Sequence, residues 1–254
     1  MTDNFLAPVH PPAIRLAWTG LLLALLALLL GAASGLGHRA GLWHFTTAFA
    51  VLGVAVLAGL AGLIASAIAL VRLRRHGHRP PMLAAALGAA LGMLVVGLPA
   101  KQLQLGMTLP RIHDITTDTA DPPAFVAIAP LRADAPNPPG YAGEPVARQQ
   151  LAGYPQIAPH FYRANRHVVF NEALEVVRRR GWNLVASEPE AGRLEASAVS
   201  RWFGFLDDIV IRVADSAKGT RVDVRSKSRV GLGDLGANAK RVESFLAEMD
   251  TQLN

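Results

Sequence analysis

The sequence predicts a membrane region of three transmembrane α-helices, followed by an α+β domain built from a helix, a four-stranded antiparallel sheet and a second helix. Two observations predict this fold class. Three long apolar stretches without ionisable side chains occupy the first hundred residues. From about residue 165 the pattern changes to an amphipathic helix, four strand-like runs and a closing amphipathic helix. We therefore expect a transmembrane region at 1–100, a proline-rich extended segment at 101–164 and a compact α+β domain at 165–254.

The apolar stretches are Ala17–Gly37, Phe45–Val71 and Pro80–Ala100. A bilayer core about 30 Å thick needs roughly 20 apolar residues in a helix, and each stretch is long enough. The stretches do not alternate polar with apolar residues as barrel strands would. We expect spanning helices at about 17–37, 46–71 and 80–100. The first stretch also fits a cleaved signal peptide, since a basic residue precedes its leucine-rich run and small residues follow it.

The ionisable residues are distributed unevenly along a chain of net charge +6. Residues 1–100 contain six arginines and one acidic residue, whereas the remainder has 19 basic and 18 acidic residues. A nearly neutral soluble part makes nucleic-acid binding an unfavoured function. Four arginines in the short loop 72–79 predict that this loop is cytoplasmic. The sequence therefore predicts a multi-pass protein of the bacterial inner (plasma) membrane, with a cytoplasmic N-terminus and a periplasmic C-terminal domain.

Small residues recur at helical spacing within the second and third stretches. Ala58, Gly62 and Ser66 form one row, and Ala84, Gly88 and Gly92 form another. Such rows let helices approach closely, so they either pack the three helices or join two copies of the chain as a homo-oligomer. No Asp, Glu, Lys or Arg lies within a span, which disfavours transport by this chain alone. The predicted role of the helices is to anchor the chain in membrane lipid.

No cofactor or metal site is expected. The chain has no cysteine, which removes thiolate ligands and cysteine nucleophiles. Its eight histidines lack the spacing of metal ligands, except for His76 and His78 in the basic loop. We interpret these two residues as loop polarity.

Prolines punctuate the segment that follows the third stretch. They occur at positions 110, 122, 123, 130, 136, 138, 139, 145, 155 and 159. Proline at this density excludes long helices and central strands. We expect an extended segment that either lies over the folded domain or serves as a stalk. The short apolar run Ala124–Ala129 is a candidate edge strand.

The α+β domain shows a regular pattern. A helix from about Val168 ends in three arginines before Gly181, a typical left-handed cap. Strands are expected at Asn183–Ser187, Arg193–Arg201, Asp208–Val213 and Thr220–Val230. A last helix is expected from Asp234, with a buried stripe of Leu235, Val242, Leu246, Met249 and Leu253. The apolar residues expected on the helix-covered face of the sheet are Leu194, Ala196, Ala198, Ile209, Ile211, Val213, Val222 and Val224.

Several runs resemble the bacterial family called domain of unknown function 1499. These runs are Ser200–Arg212 (SRWFGFLDDIVIR), Gly219–Val230 (GTRVDVRSKSRV) and Gly233–Arg241 (GDLGANAKR). The earlier Ile112–Asp118 and Pro122–Phe125 resemble the opening of the same family. The resemblance covers about residues 108–250 and implies an extracytoplasmic domain without an established activity. It implies no catalytic residue.

Basic side chains on the last strand suggest an anion or ligand site near the start of the last helix. The candidate residues are Arg201, Arg212, Arg225, Ser226, Lys227, Ser228, Arg229 and Asn238. The alternative is a solvated sheet face on which Glu195, Asp208 and Asp223 pair across strands. Gly231–Gly236 matches a dinucleotide fingerprint, but no second parallel strand follows, so we interpret it as a turn and helix N-cap. We expect Asp207 and Asp208 to lie in a turn after the aromatic run 202–205. Those aromatic residues form either a corner of the core, which we favour, or a binding ledge.

Three functions remain open at this point. The leading one is a membrane-anchored periplasmic module that binds an envelope protein or an anionic envelope ligand. The second is a cell-envelope hydrolase that uses His113, Asp114 or Asp208. The third is a structural subunit of a membrane complex, held through its small-residue helix faces.

Overall fold

The computed structural model describes residues 11–74 and 79–253. Half of the loop 72–79 that carries the orientation signal, residues 75–78 with His76 and His78, lies outside the described residues. The chain divides into two compact units. One consists of Met1–Gln104 together with Trp202–Gly204, and the other of Leu105–Arg201 together with Phe205–Asn254.

The first unit contains the three predicted helices: α1 (Pro11–Arg39), α2 (Phe45–Leu73) and α3 (Arg79–Thr108). All three are long and apolar enough to cross a membrane, which confirms the prediction. Helix α3 does not end near residue 100 as expected, because Pro99 lies inside it without ending it. A proline removes only one backbone donor, and the good helix formers that follow it continue the helix.

The helices have large apolar side chains outside and small residues inside. The buried positions include Ala17, Ala24 and Ala27 of α1, while leucines on the same helix are up to 68% exposed. A bundle in water would place the leucines inside, whereas lipid-facing leucines around a small-residue interior are typical of a membrane bundle. Exposed residues on all three helices include Leu22, Leu29, Leu57, Ile64, Val71, Leu83, Leu87 and Leu98.

The small-residue rows lie in this interior. A Cβ atom added to Gly88 would lie 2.4 Å from the Ser66 hydroxyl oxygen and 2.9 Å from the Leu21 backbone nitrogen. A Cβ on Gly20 would lie 2.3 Å from the same hydroxyl. The rows therefore pack the three helices of one chain. A homo-oligomer remains a prediction, and it would have to use other faces.

The second unit is built on one six-stranded antiparallel sheet, not the four-stranded sheet that was expected. Its strands are β1 (Asp114–Thr116), β2 (His160–Tyr162), β3 (Asn183–Glu188), β4 (Arg193–Val199), β5 (Leu206–Ser216) and β6 (Gly219–Ser228). The order is β1-β6-β5-β4-β3, and β2 also pairs with β6. The four predicted strands correspond to β3, β4, β5 and β6. Strand β5 starts two residues earlier and ends three residues later than expected. Asp207 and Asp208 therefore lie on a strand, and the prediction of a turn was wrong.

The two extra strands come from the proline-rich segment. Strand β1 pairs with Arg225–Lys227, and β2 pairs with Thr220–Val222, so both use the same edge of β6. The expected edge strand Ala124–Ala129 is not a strand. Helix α4 (Glu144–Gly153) was also missed, although its Pro145 stands in the first turn, where proline is tolerated.

Helices α5 (Arg166–Arg179) and α6 (Ala237–Leu253) cover one face of the sheet, as predicted. All eight apolar strand residues expected on this face are buried in the core that the helices share. Gly181 has a φ of +64°, the expected left-handed cap. Helix α6 starts three residues later than expected, so Leu235 is 45% exposed and is not part of the buried stripe.

Candidate functional site

The second face of the sheet is covered by the proline-rich segment. Phe125 and Ile128 pack on Val210 of β5. A short 3-10 turn at Pro130–Arg132 follows, and Arg132 is 1% exposed. The segment therefore lies over the folded domain and is not a stalk. The basic strand face was expected to be either a binding surface or a solvated face. Its central residues Arg225 and Lys227 are buried, whereas Arg212 is 28% exposed.

Arg225 and Lys227 share one buried carboxylate. The guanidinium of Arg225 donates to both oxygens of Asp114, at 2.9 and 2.8 Å, and the ammonium of Lys227 is 3.0 Å from Asp114. The rings of Phe125 and Tyr141 lie 4.9 and 5.4 Å from the Arg225 guanidinium carbon. All three charged side chains are 3% exposed. Two cations and one anion are thus held in a site that excludes water.

The segment supplies further acceptors to these cations through its backbone. Arg225 donates to the carbonyl oxygens of Pro123 and Pro139, at 3.1 and 3.0 Å, and Lys227 donates to that of Gly140 at 2.5 Å. Prolines cannot donate, but their carbonyl groups accept well. The proline-rich composition therefore suits a segment that covers cations.

A second cluster surrounds Asp208. Its carboxylate accepts hydrogen bonds from Arg132 at 3.1 Å, from Arg229 at 2.9 and 3.0 Å, and from the Ser197 hydroxyl at 2.6 Å. Arg132 also donates to the carbonyl oxygens of Asn137 and Ser228. Asp208 and Arg132 are fully buried, so this pair fixes the segment to β5 and β6.

A third cluster lies toward the start of β6. Asp223 accepts from Arg212 at 3.0 and 2.9 Å and from Arg221 at 3.1 and 2.9 Å. Arg221 also pairs with Asp118 at 2.5 Å, and Arg212 pairs with Asp121 at 2.7 Å. Asp118 and Asp121 thereby connect the proline-rich segment to β6 and β5.

Glu195 holds the segment through its backbone. Its carboxylate accepts from the N–H groups of Val126 and Ala127, at 2.9 and 3.0 Å, and from that of Ile128 at 2.8 Å. Three successive N–H groups form a concave anion-binding arrangement. In this protein the anion that occupies it is a side chain of the same chain.

On the helix-covered side, Asn238 links β6 to α6. Its amide group donates to the hydroxyl of Ser228 at 2.9 Å, and its carbonyl oxygen accepts from Ser226 at 2.6 Å. Arg241 pairs with Asp207 at 2.6 Å and donates to Ser226. Asp207 and Asp208 are adjacent on β5 and thus point to opposite faces, so they cannot form a paired-carboxylate site.

The predicted anion-site residues are therefore split between two faces of the sheet. Arg212, Arg225, Lys227 and Arg229 contact the segment. Ser226 and Ser228 instead contact Asn238 of α6. Arg201 is exposed in the β4–β5 connection. In the aromatic run there, Trp202 is 53% exposed, whereas Phe203 and Phe205 are half-buried, so its role as core corner or binding ledge stays a prediction. Anion binding by these residues stays a prediction, but they do not form one open surface.

Burial and pairing shift the pKa values of several groups in these clusters. Burial lowers the pKa of the Lys227 ammonium, and Asp114 opposes this shift. Burial, together with the charge of Asp114, raises the pKa of Tyr141 to about 12. Burial alone would raise the pKa of Asp118, but backbone N–H donors and Arg221 outweigh it and lower the value.

The residues proposed for a hydrolase are not arranged for catalysis. Asp114 and Asp208 are 2% and 0% exposed and are saturated by cations. Burial lowers the pKa of His113, and its Nδ1 atom has no hydrogen-bond partner within the described part of the chain. Within the described residues, no carboxylate therefore accepts from Nδ1 of His113 to orient the ring as a general base.

The sequence analysis did not identify several residues of these clusters, because the sequence pattern around them indicates little about their roles. Arg132 is the only basic residue between Arg111 and Arg148, and Asp118 precedes a tight turn in which it accepts from the N–H groups of Ala120 and Asp121. A single arginine among prolines could have indicated a buried residue that holds the segment on the sheet. The sequence contains no signal for its partner, 76 positions away.

These features define a class of protein: an α+β domain with both faces of its sheet covered, preceded in the chain by three helices that are long and apolar enough to span a membrane. The model of the family described as protein of unknown function (DUF1499) matches residues 114–249, more than half of the chain, so the chain belongs to this family. The match starts at β1 and ends within α6, which confirms the predicted resemblance and leaves the membrane helices outside. No curated protein matches the chain at a significant level.

Proposed function

We propose that this protein anchors a binding or interaction module at the periplasmic face of the bacterial inner membrane. The observation that carries this proposal is the closure of the polar sheet face. The carboxylates and cations on which a catalytic site would draw are paired with each other and buried. The domain therefore interacts through its outer surface.

The short connection to the membrane supports a role close to the bilayer. Helix α3 ends at Thr108 and β1 begins at Asp114. The connection 109–113 reaches at most about 18 Å when fully extended. A partner recognised by the domain must therefore come to the membrane surface.

Charge supports the periplasmic orientation. Arg72, Arg74 and Arg79 flank the α2–α3 connection, and short basic connections stay in the cytoplasm. Three spans then place the C-terminus outside. Fusions of the full chain to alkaline phosphatase and to green fluorescent protein test this: phosphatase activity without fluorescence is expected, and the reverse result contradicts the orientation.

Site-specific photo-crosslinking in cells tests the interaction role. A photoreactive phenylalanine analogue would replace exposed Phe161, Val126 or Leu151 in separate variants. An interaction module gives a discrete adduct from one face and none from the others. An absence of adducts from every exposed face of the domain contradicts the proposal. Adducts only from lipid-facing positions of α1–α3 would instead support the structural-subunit hypothesis.

A further inference from the structure

The turn between β4 and β5 carries two aromatic side chains at its tip. We call residues 202–204 the aromatic loop. The N–H group of Ser200 donates to the carbonyl oxygen of Phe205 at 2.8 Å, which closes the base of the turn. Trp202 is 53% exposed, and Phe203 is half-buried. The tip of a turn in water usually carries polar residues or glycine, so an aromatic pair at this tip indicates a less polar surrounding.

The aromatic loop belongs to the same compact unit as the apolar helices, and its contacts within that unit fix its place along them. A Cβ atom added to Gly35 of α1 would overlap the indole ring of Trp202 and lie 2.9 Å from the carbonyl oxygen of the same residue. The rings of Phe203 and of Phe49 in α2 have centroids 5.2 Å apart. The loop therefore packs against both α1 and α2.

These contacts place the loop at one end of the apolar part of the helices. The apolar stretch 17–37 of α1 rises about 31 Å, close to the thickness of the hydrocarbon core. Gly35 precedes the end of this stretch by two residues, so it lies about 3 Å inside the boundary of the hydrocarbon. Phe49 is four residues from the start of α2, about 6 Å along that helix. Both helices thus place the loop near the boundary between acyl chains and headgroups.

A second tryptophan lies at the same level. Trp43, in the connection between α1 and α2, donates from its indole N–H group to the carbonyl oxygen of Ser34 at 3.2 Å. A Cβ atom added to Gly37 would lie 2.5 Å from the Cε2 atom of the same indole. Trp43 and Trp202 therefore both pack on the last two turns of α1. Tryptophan is enriched at this level of a membrane because its ring is apolar and its N–H group is polar.

The glycine of the aromatic loop allows this close approach to α1. Gly204 has a φ of +72°, a left-handed conformation that favours glycine. A Cβ atom added to it would lie 3.0 Å from the Cγ atom of Arg39, which follows the apolar stretch of α1 by two residues. The loop thus runs from the apolar end of α1, at Trp202, to the first basic residue beyond it.

We propose that the aromatic loop inserts Trp202 and Phe203 into the interfacial layer of the bilayer that the helices span. Lipid at the boundary of the hydrocarbon then covers the exposed part of the Trp202 ring. The chain gains a membrane contact besides its three helices, and the binding ledge that the sequence suggested is a ledge for lipid. Since the level of the loop follows from contacts within the helix unit, the proposal holds for either orientation of the chain in the membrane.

The four tryptophans of the chain allow a test without an added label. The full-length variants Trp202→Phe, Trp43→Phe and Trp182→Phe would each be placed in vesicles of phosphatidylcholine and phosphatidylglycerol. Phenylalanine keeps an aromatic ring at each position, and the fluorescence lost relative to the wild type reports the replaced tryptophan. Its quenching would be measured with lipids brominated at the headgroup end of the acyl chain, with lipids brominated at the far end of the chain, and separately with aqueous iodide.

Trp43 and Trp182 are the matched controls. Trp43 packs on the same turns of α1, whereas Trp182 stacks on Phe245, with ring centroids 5.8 Å apart, and packs against the hydrophobic core of the other unit. For Trp202 we expect quenching by the shallow bromolipid that is comparable to that of Trp43 and several-fold stronger than that of Trp182. We also expect the shallow bromolipid to quench Trp202 more than the deep one does.

The other results overturn the proposal. Lipid quenching of Trp202 that is no stronger than that of Trp182, together with strong iodide quenching, would place the loop in water. An indole at 202 that is shielded from iodide and quenched by neither lipid would be covered by protein. Stronger quenching by the deep bromolipid would place the ring within the hydrocarbon and not at its boundary.

Discussion

Replacing Arg225 with methionine tests whether the basic residues of β6 hold the fold or bind a ligand. If Arg225, Lys227 and Arg229 formed the candidate anion site, neutralising them would weaken binding and leave the fold intact. The structure indicates instead that Arg225→Met destabilises the domain, because Arg225 is 2% exposed and its guanidinium lies between the segment and the sheet.

The expected magnitude follows from the groups left behind. The substitution leaves Asp114 buried, together with two carbonyl oxygens that accepted from Arg225. Removal of one partner of a buried ion pair costs about 3–5 kcal/mol of unfolding free energy. Lys227 remains 3.0 Å from Asp114 and still compensates its charge. We therefore expect a loss at the lower end, about 3 kcal/mol.

Pulse proteolysis of the full chain in mild detergent, at increasing urea concentration, would measure this loss. With a slope of about 2 kcal/mol per molar urea, the midpoint of domain unfolding should fall by about 1.5 M. Arg178→Met is the control, because Arg178 forms an exposed ion pair with Glu175. The side chains of Arg178 and Glu175 are 58% and 49% exposed. A pair exposed to this extent contributes about 0.5 kcal/mol or less. Equal midpoints for the two variants would refute the reasoning.

Three further predictions concern packing, pH and capping. Gly88→Ala should lower the temperature at which the detergent-solubilised chain aggregates, because the added methyl group would lie 2.4 Å from the Ser66 hydroxyl oxygen. Gly97→Ala is the control. A methyl group there has no atom within 4 Å, so the aggregation temperature should stay unchanged or rise. The pKa of Asp118 is lower in the folded chain than in the unfolded chain, where it is about 4. Its ionised form therefore stabilises the fold at pH values above about 4, and this stability is lost as the pH falls through the pKa of the folded state. Asp118→Asn should therefore lower the urea midpoint at pH 7 and flatten its decline between about pH 5 and pH 2, and parallel wild-type and variant curves would contradict this linkage. Asp234→Ala should cost about 1 kcal/mol in the same urea assay, because its carboxylate accepts from the N–H groups of Gly236 and Asn238, and Asp234→Asn should retain most of that stability.

The sequence predicted the parts of the fold that have a strong local signal. The three helices follow from apolar length, and β3 to β6 follow from alternating residues bounded by glycine turns. Residues 231–236 do form a turn before α6, and the Asp234 carboxylate accepts from the N–H group of Asn238 in the first turn of α6 and from that of Gly236 just before it. These elements need no information from distant residues.

The parts that were missed depend on long-range contacts. Strands β1 and β2 have three residues each and become strands only because the edge of β6 offers free backbone groups. The burial of Arg225 depends on Asp114, which is 111 positions earlier. Alternation along β6 identified which side chains share a face, but it does not reveal what covers that face.

The proline-rich segment that covers the second face of the sheet limits how the domain can recognise a ligand. Backbone carbonyls of the segment accept from Arg225 and Lys227, and backbone N–H groups of 126–128 donate to Glu195. These are the hydrogen bonds that an external ligand on this face would make, so such a ligand must first displace the segment and leave several charges buried without partners. That cost exceeds what a small anion recovers by binding. A variant of these residues that loses binding therefore reports on function only if its urea midpoint matches that of the wild type.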